Sequence, residues 1–265
     1  MRKRIPSRLS FDLFPPVPEP RVYRYFENAR EHPFRPRAAG VDLRNAWWLA
    51  ELSMLAFSER PFIDIAMERA GLEPAGPPLD GPSTEAVAVQ GDGFAAIAFR
   101  GTQVFLPGRD PLTLLGEIAE DILTDVCIPL VRARKPARGR VHRGFRNALD
   151  EIWKPLEQLV DRLRKEDRAL WLTGLSLGGA LAILAASRLP GIQGVYAFGA
   201  PLVGDGEFRA NLPVRPVRFV HGSDLVTRVP VIAPNLPPRM QWKGLLPLFE
   251  PLGTYRPAGD TVAIN

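Results

Sequence analysis

The stretch LWLTGLSLGGALAILAA, residues 170–186, decides the fold of this chain. Residues 169–173 form a short apolar run of strand length, whereas residues 177–188 have the small, apolar composition of a buried helix. The pentapeptide Gly174-Leu175-Ser176-Leu177-Gly178 stands between them and has the form G-x-S-x-G. The pattern therefore predicts a strand, a sharp turn at Ser176 and a helix.

A serine on so sharp a turn is held in a strained, exposed position, and the flanking glycines let the neighbouring backbone approach closely. The helix that follows directs its positive dipole end and its unsatisfied N–H groups at the same point. The N–H of Leu177 can then receive negative charge that develops on a carbonyl oxygen. We interpret Ser176 as a nucleophile. The alternative is a glycine-rich turn with an ordinary N-cap serine.

Composition limits the class of protein. The chain has 265 residues, of which 46% are hydrophobic, and this is sufficient for one large domain. It contains no apolar run of the length that spans a membrane. The first twenty residues lack a continuous apolar segment, so no signal peptide is visible, and Cys127 has no partner for an internal disulfide. These features predict a cytoplasmic location and leave secretion after processing open.

The balance of charge is basic. A net charge of +5 and a pI near 9.7 favour anionic surfaces such as phospholipid head groups or nucleic acid. The arginines are spread along the chain and there is no nucleic-acid-binding motif, so we interpret them as solvated surface and expect no nucleic-acid partner. No cluster of metal ligands is visible either, and the chemistry expected below requires no metal or cofactor.

The chain divides into two parts. Residues 1–40 are rich in proline and arginine and predict an extension that wraps a surface, and residues 41–265 predict a single domain. A helix is expected at 45–57, with Asp42 or Asn45 as its cap. Strands at 84–90 and 94–99, joined through Gly91-Asp92-Gly93, predict a hairpin.

The remaining predicted elements alternate between helix and strand. They are a helix at 112–123, a strand at 126–131, a helix at 144–165, and strands at 195–198 and 217–221. This alternation predicts an α/β fold with a mostly parallel central sheet and helices on both faces. Reactive side chains in such a sheet gather beyond the carboxyl ends of the strands.

Partners for Ser176 are found at the ends of two predicted strands. Asp224 follows the strand at 217–221 and comes after the serine, which is the order of serine and acid in α/β-hydrolases. Asp205 is the rival acid, and a turn or capping role is the alternative for Asp224. Thr102, in AFRGTQ, could direct its N–H and hydroxyl at a carbonyl oxygen, unless this segment is a plain strand-ending turn.

These residues carry a resemblance. The chain resembles the fungal-type, or class 3, triglyceride lipases and their bacterial relatives, with six blocks in the family's order. The blocks are AFRGTQ, DILTDV, VHRGFRNAL, TGLSLGGALA, FGAPLVGD and RFVHGSDLVTRVP. The resemblance implies an α/β-hydrolase fold, with Ser176 as nucleophile, Asp224 as acid, and Thr102 and Leu177 as oxyanion donors. It also implies a lid at 103–117 that turns apolar side chains toward lipid, with a packed surface helix as the alternative.

Two positions depart from the family pattern. Leu175 stands where the family usually has a non-catalytic histidine. Pro257 stands where the resemblance places the catalytic histidine, and proline cannot act as a general base. Of the three histidines, His32 lies in the extension, His142 matches a structural position of the family, and His221 is the candidate substitute base.

The sequence thus predicts a lipase or esterase that cleaves carboxylic esters of lipids through an acyl-enzyme on Ser176. Its partners are expected to be a lipid or ester substrate and, transiently, a membrane or lipid surface. The alternative, motivated by Pro257 and the basic charge, is a catalytically impaired lipase relative that serves as a lipid-binding module. Acyl transfer to an alcohol by the same turn is a third hypothesis.

Overall fold

Among the residues that the structure describes, a sheet of eight strands forms the centre of the fold. The computed structural model of the chain describes residues 23–101, 130–221 and 255–264. The helix expected at 112–123, the lid expected at 103–117 and most of the strand expected at 126–131 lie outside the described residues. The same holds for Thr102 and Asp224.

The central sheet has the strand order β1-β3-β4-β7-β8-β10-β12, with β2 paired to β3. Its strands are β1 Glu73–Pro74, β2 Leu79–Asp80, β3 Glu85–Gly91, β4 Phe94–Phe99, β7 Ala169–Leu175, β8 Ile192–Phe198, β10 Val217–His221 and β12 Asp260–Ile264. Five neighbouring strands are parallel, namely β4, β7, β8, β10 and β12. The pairs β1–β3, β2–β3 and β3–β4 are antiparallel. The expectation of a mostly parallel sheet, and the hairpin between β3 and β4, are confirmed.

A second sheet of four short strands was not predicted. Its strands are β5 Leu130–Arg132, β6 Arg140–His142, β9 Gly204–Asp205 and β11 Tyr255–Arg256, in the order β11-β9-β6-β5. All its pairings are antiparallel. Strands of two or three residues are too short for the alternation of apolar and polar residues that marks a strand in a sequence.

Six helices lie in the described residues. They are α1 Leu43–Leu55, α2 Arg60–Ala70, α3 Arg143–Glu151, α4 Trp153–Lys165, α5 Leu177–Ala186 and α6 Gly206–Ala210. Asp42 is the cap of α1, since its side chain accepts hydrogen bonds from the N–H groups of Arg44 and Asn45. Within the described part of the chain, none of these helices has the length and apolar composition needed to cross a bilayer.

The single helix expected at 144–165 is instead two helices, and that prediction was wrong. Ile152 separates α3 from α4 with φ −109° and ψ 8°. Pro155 explains the break, because it has no N–H to donate to the carbonyl of Glu151 and its ring would clash with that carbonyl in a continuous helix.

Each face of the central sheet is covered by its own layer of apolar side chains. Helices α3, α4 and α5 pack on one face against Ile97 and Leu172. Helices α1 and α2 pack on the other face against Ala98 and Trp171. Adjacent residues of β4 and β7 therefore enter opposite layers, which explains why these strands are almost continuously apolar.

Residues 23–40 lie on the face that α1 and α2 cover. Phe34 stacks on Phe94 with ring centroids 4.1 Å apart and makes an edge contact with Trp171 at 5.4 Å. The indole N–H of Trp171 donates to the carbonyl of Pro36 at 2.9 Å. This part of the N-terminal segment thus packs against β4 and β7, while the boundary expected at residue 40 stays a prediction.

Candidate active site

Ser176 lies between the carboxyl end of β7 and the first residue of α5. Its backbone has φ 54° and ψ −123°, a conformation that costs a residue other than glycine about 1–3 kcal/mol. The N–H of Ser176 donates to the carbonyl of Phe198 in β8 at 2.9 Å, and its own carbonyl accepts from Gly179 at 3.0 Å. The neighbouring strand and the new helix together hold the strained turn in place.

Three glycines allow the turn to pack this closely. A Cβ on Gly174 would lie 2.2 Å from the carbonyl carbon of Gly178, and one on Gly178 would lie 2.1 Å from the carbonyl oxygen of Phe99. A Cβ on Gly179 would lie 2.8 Å from the Cβ of Ala200. The first turn of α5 therefore rests directly on the ends of β7 and β4, which is the physical reason for the G-x-S-x-G pattern.

The end of β4 leads toward the same turn. A Cβ on the buried Gly101 would lie 2.7 Å from the carbonyl oxygen of Leu175 and 3.7 Å from the backbone nitrogen of Gly178. The segment expected to carry the oxyanion loop thus begins in contact with the turn, one residue before Thr102. Leu177 is half-buried and is the first residue of α5, where backbone N–H groups have no partner within the helix.

The two candidate acids have different settings. Asp205 caps α6, and its carboxylate accepts the N–H of Phe208 at 2.9 Å. A cap of this kind is a structural role. Asp224 lies outside the described residues, three positions after β10 ends at His221.

The three histidines also have different structural settings. His142 is buried, caps α3 and accepts the N–H of Phe145 through Nδ1 at 3.2 Å, so the expected structural role is confirmed. His32 is exposed in the N-terminal segment, and its carbonyl accepts the indole N–H of Trp48 at 2.7 Å. The backbone of His221 ends β10, but its side chain lies outside the described part of the structure.

The strand register gives Pro257 a different place from the one that the sequence suggests. Strand β12 is parallel to β10, with Asp260 opposite Val217 and Ile264 opposite His221. Pro257 therefore precedes the amino end of β12, whereas Ser176 follows the carboxyl end of β7. Because parallel strands share one carboxyl edge, the chain at position 257 enters the sheet from the edge opposite Ser176.

A pair of buried hydroxyl groups lies beneath the turn. The Oγ of Ser53 in α1 and the Oγ1 of Thr173 in β7 are 2.8 Å apart. Oγ1 of Thr173 also lies 2.9 Å from the carbonyl oxygen of Tyr196 in β8, and Oγ of Ser53 lies 2.7 Å from that of Leu49. This pair joins α1, β7 and β8 three residues before Ser176. Sequence reasoning missed it, although both residues interrupt otherwise apolar stretches.

Within residues 23–101, 130–221 and 255–264, there is no group of three or more histidine, cysteine, aspartate and glutamate side chains that could hold a metal ion.

A largely parallel sheet, with a central strand that ends in a strained G-x-S-x-G turn before a helix, defines the α/β-hydrolase fold. The family described as lipase (class 3) matches residues 96–233, which is more than half of the chain. The chain belongs to this family.

Curated relatives are similar over about a third of the chain. Identity is 34% over 101 residues with the secreted mono- and diacylglycerol lipase LIP4 of Malassezia restricta, covering 34% of each chain. It is 35% over 101 residues with the secreted mono- and diacylglycerol lipase 1 of Fusarium solani, covering 35% of this chain and 30% of the relative. It is 29% over 103 residues with phospholipase A1-IIbeta of Arabidopsis thaliana, covering 32% and 25%. The match thus spans at most about a third of these relatives.

Solved structures share the fold. The Rhizomucor miehei lipase in its propeptide complex superposes with a TM-score of 0.52 at 22% identity, over 75% of this chain and 58% of that one. The lipase of Rhizopus microsporus var. chinensis gives a TM-score of 0.51 at 21% identity, over 78% and 65%. These likenesses concern the fold, and they confirm the α/β-hydrolase expectation.

Proposed function

We propose that this chain is a serine hydrolase that cleaves carboxylic esters of lipids through an acyl-enzyme on Ser176. The observation that carries the proposal is the strained backbone of Ser176, held by hydrogen bonds from β8 and α5 at the carboxyl edge of the sheet. Membership of the class 3 lipase family supports the same reaction.

The proposed reaction begins when Oγ of Ser176 attacks the ester carbonyl carbon and gives its proton to a general base. Negative charge on the carbonyl oxygen is received by the N–H of Leu177 and by the N–H and hydroxyl of Thr102. The tetrahedral intermediate then expels the alcohol, which takes the proton from the base. Water hydrolyses the resulting acyl-enzyme by the same two steps, releases the fatty acid and restores Ser176.

His221 is the proposed base and Asp224 the proposed acid. Strand β10 is the second neighbour of β7 across the parallel sheet, about 10 Å away at the usual strand spacing, and it ends at His221. Both strands open onto the same edge. Pro257 had motivated the alternative of an inactive lipid-binding module, but its position before β12 weakens that argument.

The proposed substrates are acylglycerols or phospholipids, because the relatives include mono- and diacylglycerol lipases and a phospholipase A1. The lid at 103–117, contact with a lipid surface and acyl transfer to an alcohol stay predictions. Two of the relatives are named as secreted, so the cytoplasmic expectation gains no support. The relatives come from fungi, a nematode and a plant, so assignment to a bacterial branch gains none either.

The test is hydrolysis of a short-chain nitrophenyl ester and of a diacylglycerol by the wild type and by single variants. Ser176→Ala and His221→Ala should each lose between roughly 10⁴-fold and 10⁶-fold in kcat. Ser187→Ala, at the other end of α5, and His32→Ala are matched controls and should stay within about twofold of the wild type.

The outcomes of this assay distinguish the nucleophile, the base and the binding module. Activity retained in Ser176→Ala would refute the nucleophile. Activity lost in Ser176→Ala but retained in His221→Ala would refute the base and leave the nucleophile standing. An inactive wild type that still binds lipid vesicles would favour the binding module.

A further inference from the structure

One hairpin of this chain is strongly basic. Residues 132–146 contain seven lysines and arginines and no aspartate or glutamate. They are Arg132, Arg134, Lys135, Arg138, Arg140, Arg143 and Arg146. These residues lie on β5, β6, the loop between them and the first turn of α3, and we call residues 130–146 the basic hairpin.

The seven charges of the basic hairpin exceed the net charge of the whole chain. Without these seven charges, the net charge of +5 would become −2. A local charge of this density attracts anionic surfaces to the hairpin. The arginines of this segment are mostly exposed, as the interpretation of solvated surface expects, but they are denser here than a scattered distribution suggests.

The strand register brings like charges together. Arg132 and Arg140 are direct cross-strand partners in the antiparallel pair of β5 and β6, and both are exposed. The hairpin is closed by a hydrogen bond from the N–H of Ala133 to the carbonyl of Gly139 at 3.0 Å. Like charges in directly opposite positions destabilise a strand pair. An anion placed over the two guanidinium groups would relieve this repulsion.

Little of this charge is neutralised within the described part of the chain. Arg134 pairs with Asp150 at 3.0 Å, and Asp150 is shared with the buried Arg188 at 2.7 Å. Arg146 donates to the carbonyl of Arg132 at 3.4 Å and to Oδ1 of Asn147 at 3.3 Å, which leaves its charge in place. Asp150 is the one carboxylate among the described residues that forms an ion pair with the basic hairpin.

We propose that the basic hairpin docks the protein on the phosphate head groups of an anionic lipid surface. The proposal rests on the function proposed above, because an enzyme that acts on lipid esters must reach them at such a surface. A flat array of head groups fits several arginines exposed on one hairpin. Nucleic acid fits less well, because the aromatic residue of the segment, Phe145, is buried and offers no ring on which a base could stack.

The basic hairpin joins the rest of the fold through the small sheet. Strand β6 pairs with β9, and β9 begins six positions after the carboxyl end of β8. The last residue of β8, Phe198, accepts the N–H of Ser176. Arg134 shares Asp150 with Arg188, which follows the far end of α5, so the basic hairpin lies toward the edge of the central sheet opposite Ser176.

The test measures binding to sedimented vesicles, with the Ser176→Ala protein as background so that turnover does not alter the lipid. Vesicles of phosphatidylcholine are compared with vesicles that also contain phosphatidylglycerol. A triple variant that combines Arg132→Gln, Arg138→Gln and Arg143→Gln should bind the anionic vesicles roughly 100-fold more weakly. Each of the three lost charges should account for a similar share of this loss. The matched control combines Arg30→Gln, Arg60→Gln and Arg69→Gln, which are exposed on the other face and remove the same charge. The control should bind within about threefold of the background protein.

Two further measurements keep the outcomes distinct. Circular dichroism and thermal unfolding establish that both triple variants fold, and raising the salt from 0.05 M to 0.5 M should release the background protein from anionic vesicles. Three results would overturn the proposal. The two triple variants could lose binding equally, or binding could be the same with and without phosphatidylglycerol. The background protein could also bind transfer RNA more tightly than vesicles. Because no turnover is measured, an enzyme that fails the ester assays leaves this result unaffected.

Discussion

The carbonyl oxygen of Phe99 occupies the space in which a side chain on Gly178 would begin, only 2.1 Å from the Cβ that any other residue would carry there. The oxygen belongs to the end of β4, and Gly178 belongs to the first turn of α5. This contact brings the helix N-terminus and the start of the expected oxyanion loop together beside Ser176.

Gly178→Ala should therefore displace α5 from β4. We expect a loss of about 1–3 kcal/mol in the free energy of unfolding and at least a tenfold loss in the rate of ester hydrolysis. Urea unfolding and nitrophenyl ester turnover measure the two effects. Gly76→Ala is the control, because its new Cβ would meet the flexible end of Leu159 at 3.1 Å. Equal behaviour of the two variants would argue against the packing account.

The rival acids can be separated by stability and turnover. Asp205→Ala removes a helix cap, so it should cost about 1 kcal/mol in the free energy of unfolding and leave ester turnover near that of the wild type. Asp224→Ala should reduce kcat by roughly 10⁴-fold with little change in stability. If the losses fell the other way round, Asp205 would be the acid.

A buried carboxyl group attaches the N-terminal segment to α1. Glu51 is 5% exposed and accepts hydrogen bonds from the hydroxyl of Tyr23 and, at 3.4 Å, from the N–H of Phe26. Burial raises the pKa of Glu51 above its ordinary value, and burial also raises the pKa of Tyr25 to about 12. The folded protein therefore favours the protonated form of Glu51.

The raised pKa of Glu51 predicts how the free energy of unfolding depends on pH. Because the folded-state pKa of Glu51 is raised, its contribution to stability is full below the ordinary pKa near 4.5 and is lost as the pH rises through the raised value. Glu51→Gln should therefore gain stability relative to the wild type as the pH rises above the ordinary pKa of Glu51, as measured by urea unfolding at a series of pH values. Glu31→Gln, at an exposed position, should show no such trend. A constant difference between Glu51→Gln and the wild type would refute the shift.

Structural features that depend on a few adjacent residues could be predicted from the sequence. The turn at Ser176, the β3–β4 hairpin and the cap at Asp42 each follow from local composition, and each is present. Helix α2 was missed although Pro61 in its first turn and Gly71 at its end are ordinary helix boundaries. Strand β12 was missed because its pairing with β10 depends on a distant segment.

The positions of Pro257 and of the basic hairpin could not be read from motifs. A motif fixes which residue stands at a position, whereas the register of β12 against β10 fixes the edge of the sheet at which that residue lies. The charge of the hairpin was hidden because a net charge sums over the whole chain, whereas a surface responds to the local density. The place of Pro257 required the pairing of strands, whereas the seven basic residues can be counted in the sequence itself.

The central claim is that Ser176 is an activated nucleophile, and covalent labelling tests it most directly. The folded protein is treated with a fluorophosphonate, digested, and mapped by mass spectrometry, beside the Ser176→Ala variant and a denatured sample. We predict a single phosphonylated peptide that contains Ser176, present in the folded wild type and absent from the other two samples. A folded wild type in which Ser176 stays unmodified, or in which the label lies on another serine and persists in Ser176→Ala, would contradict the account.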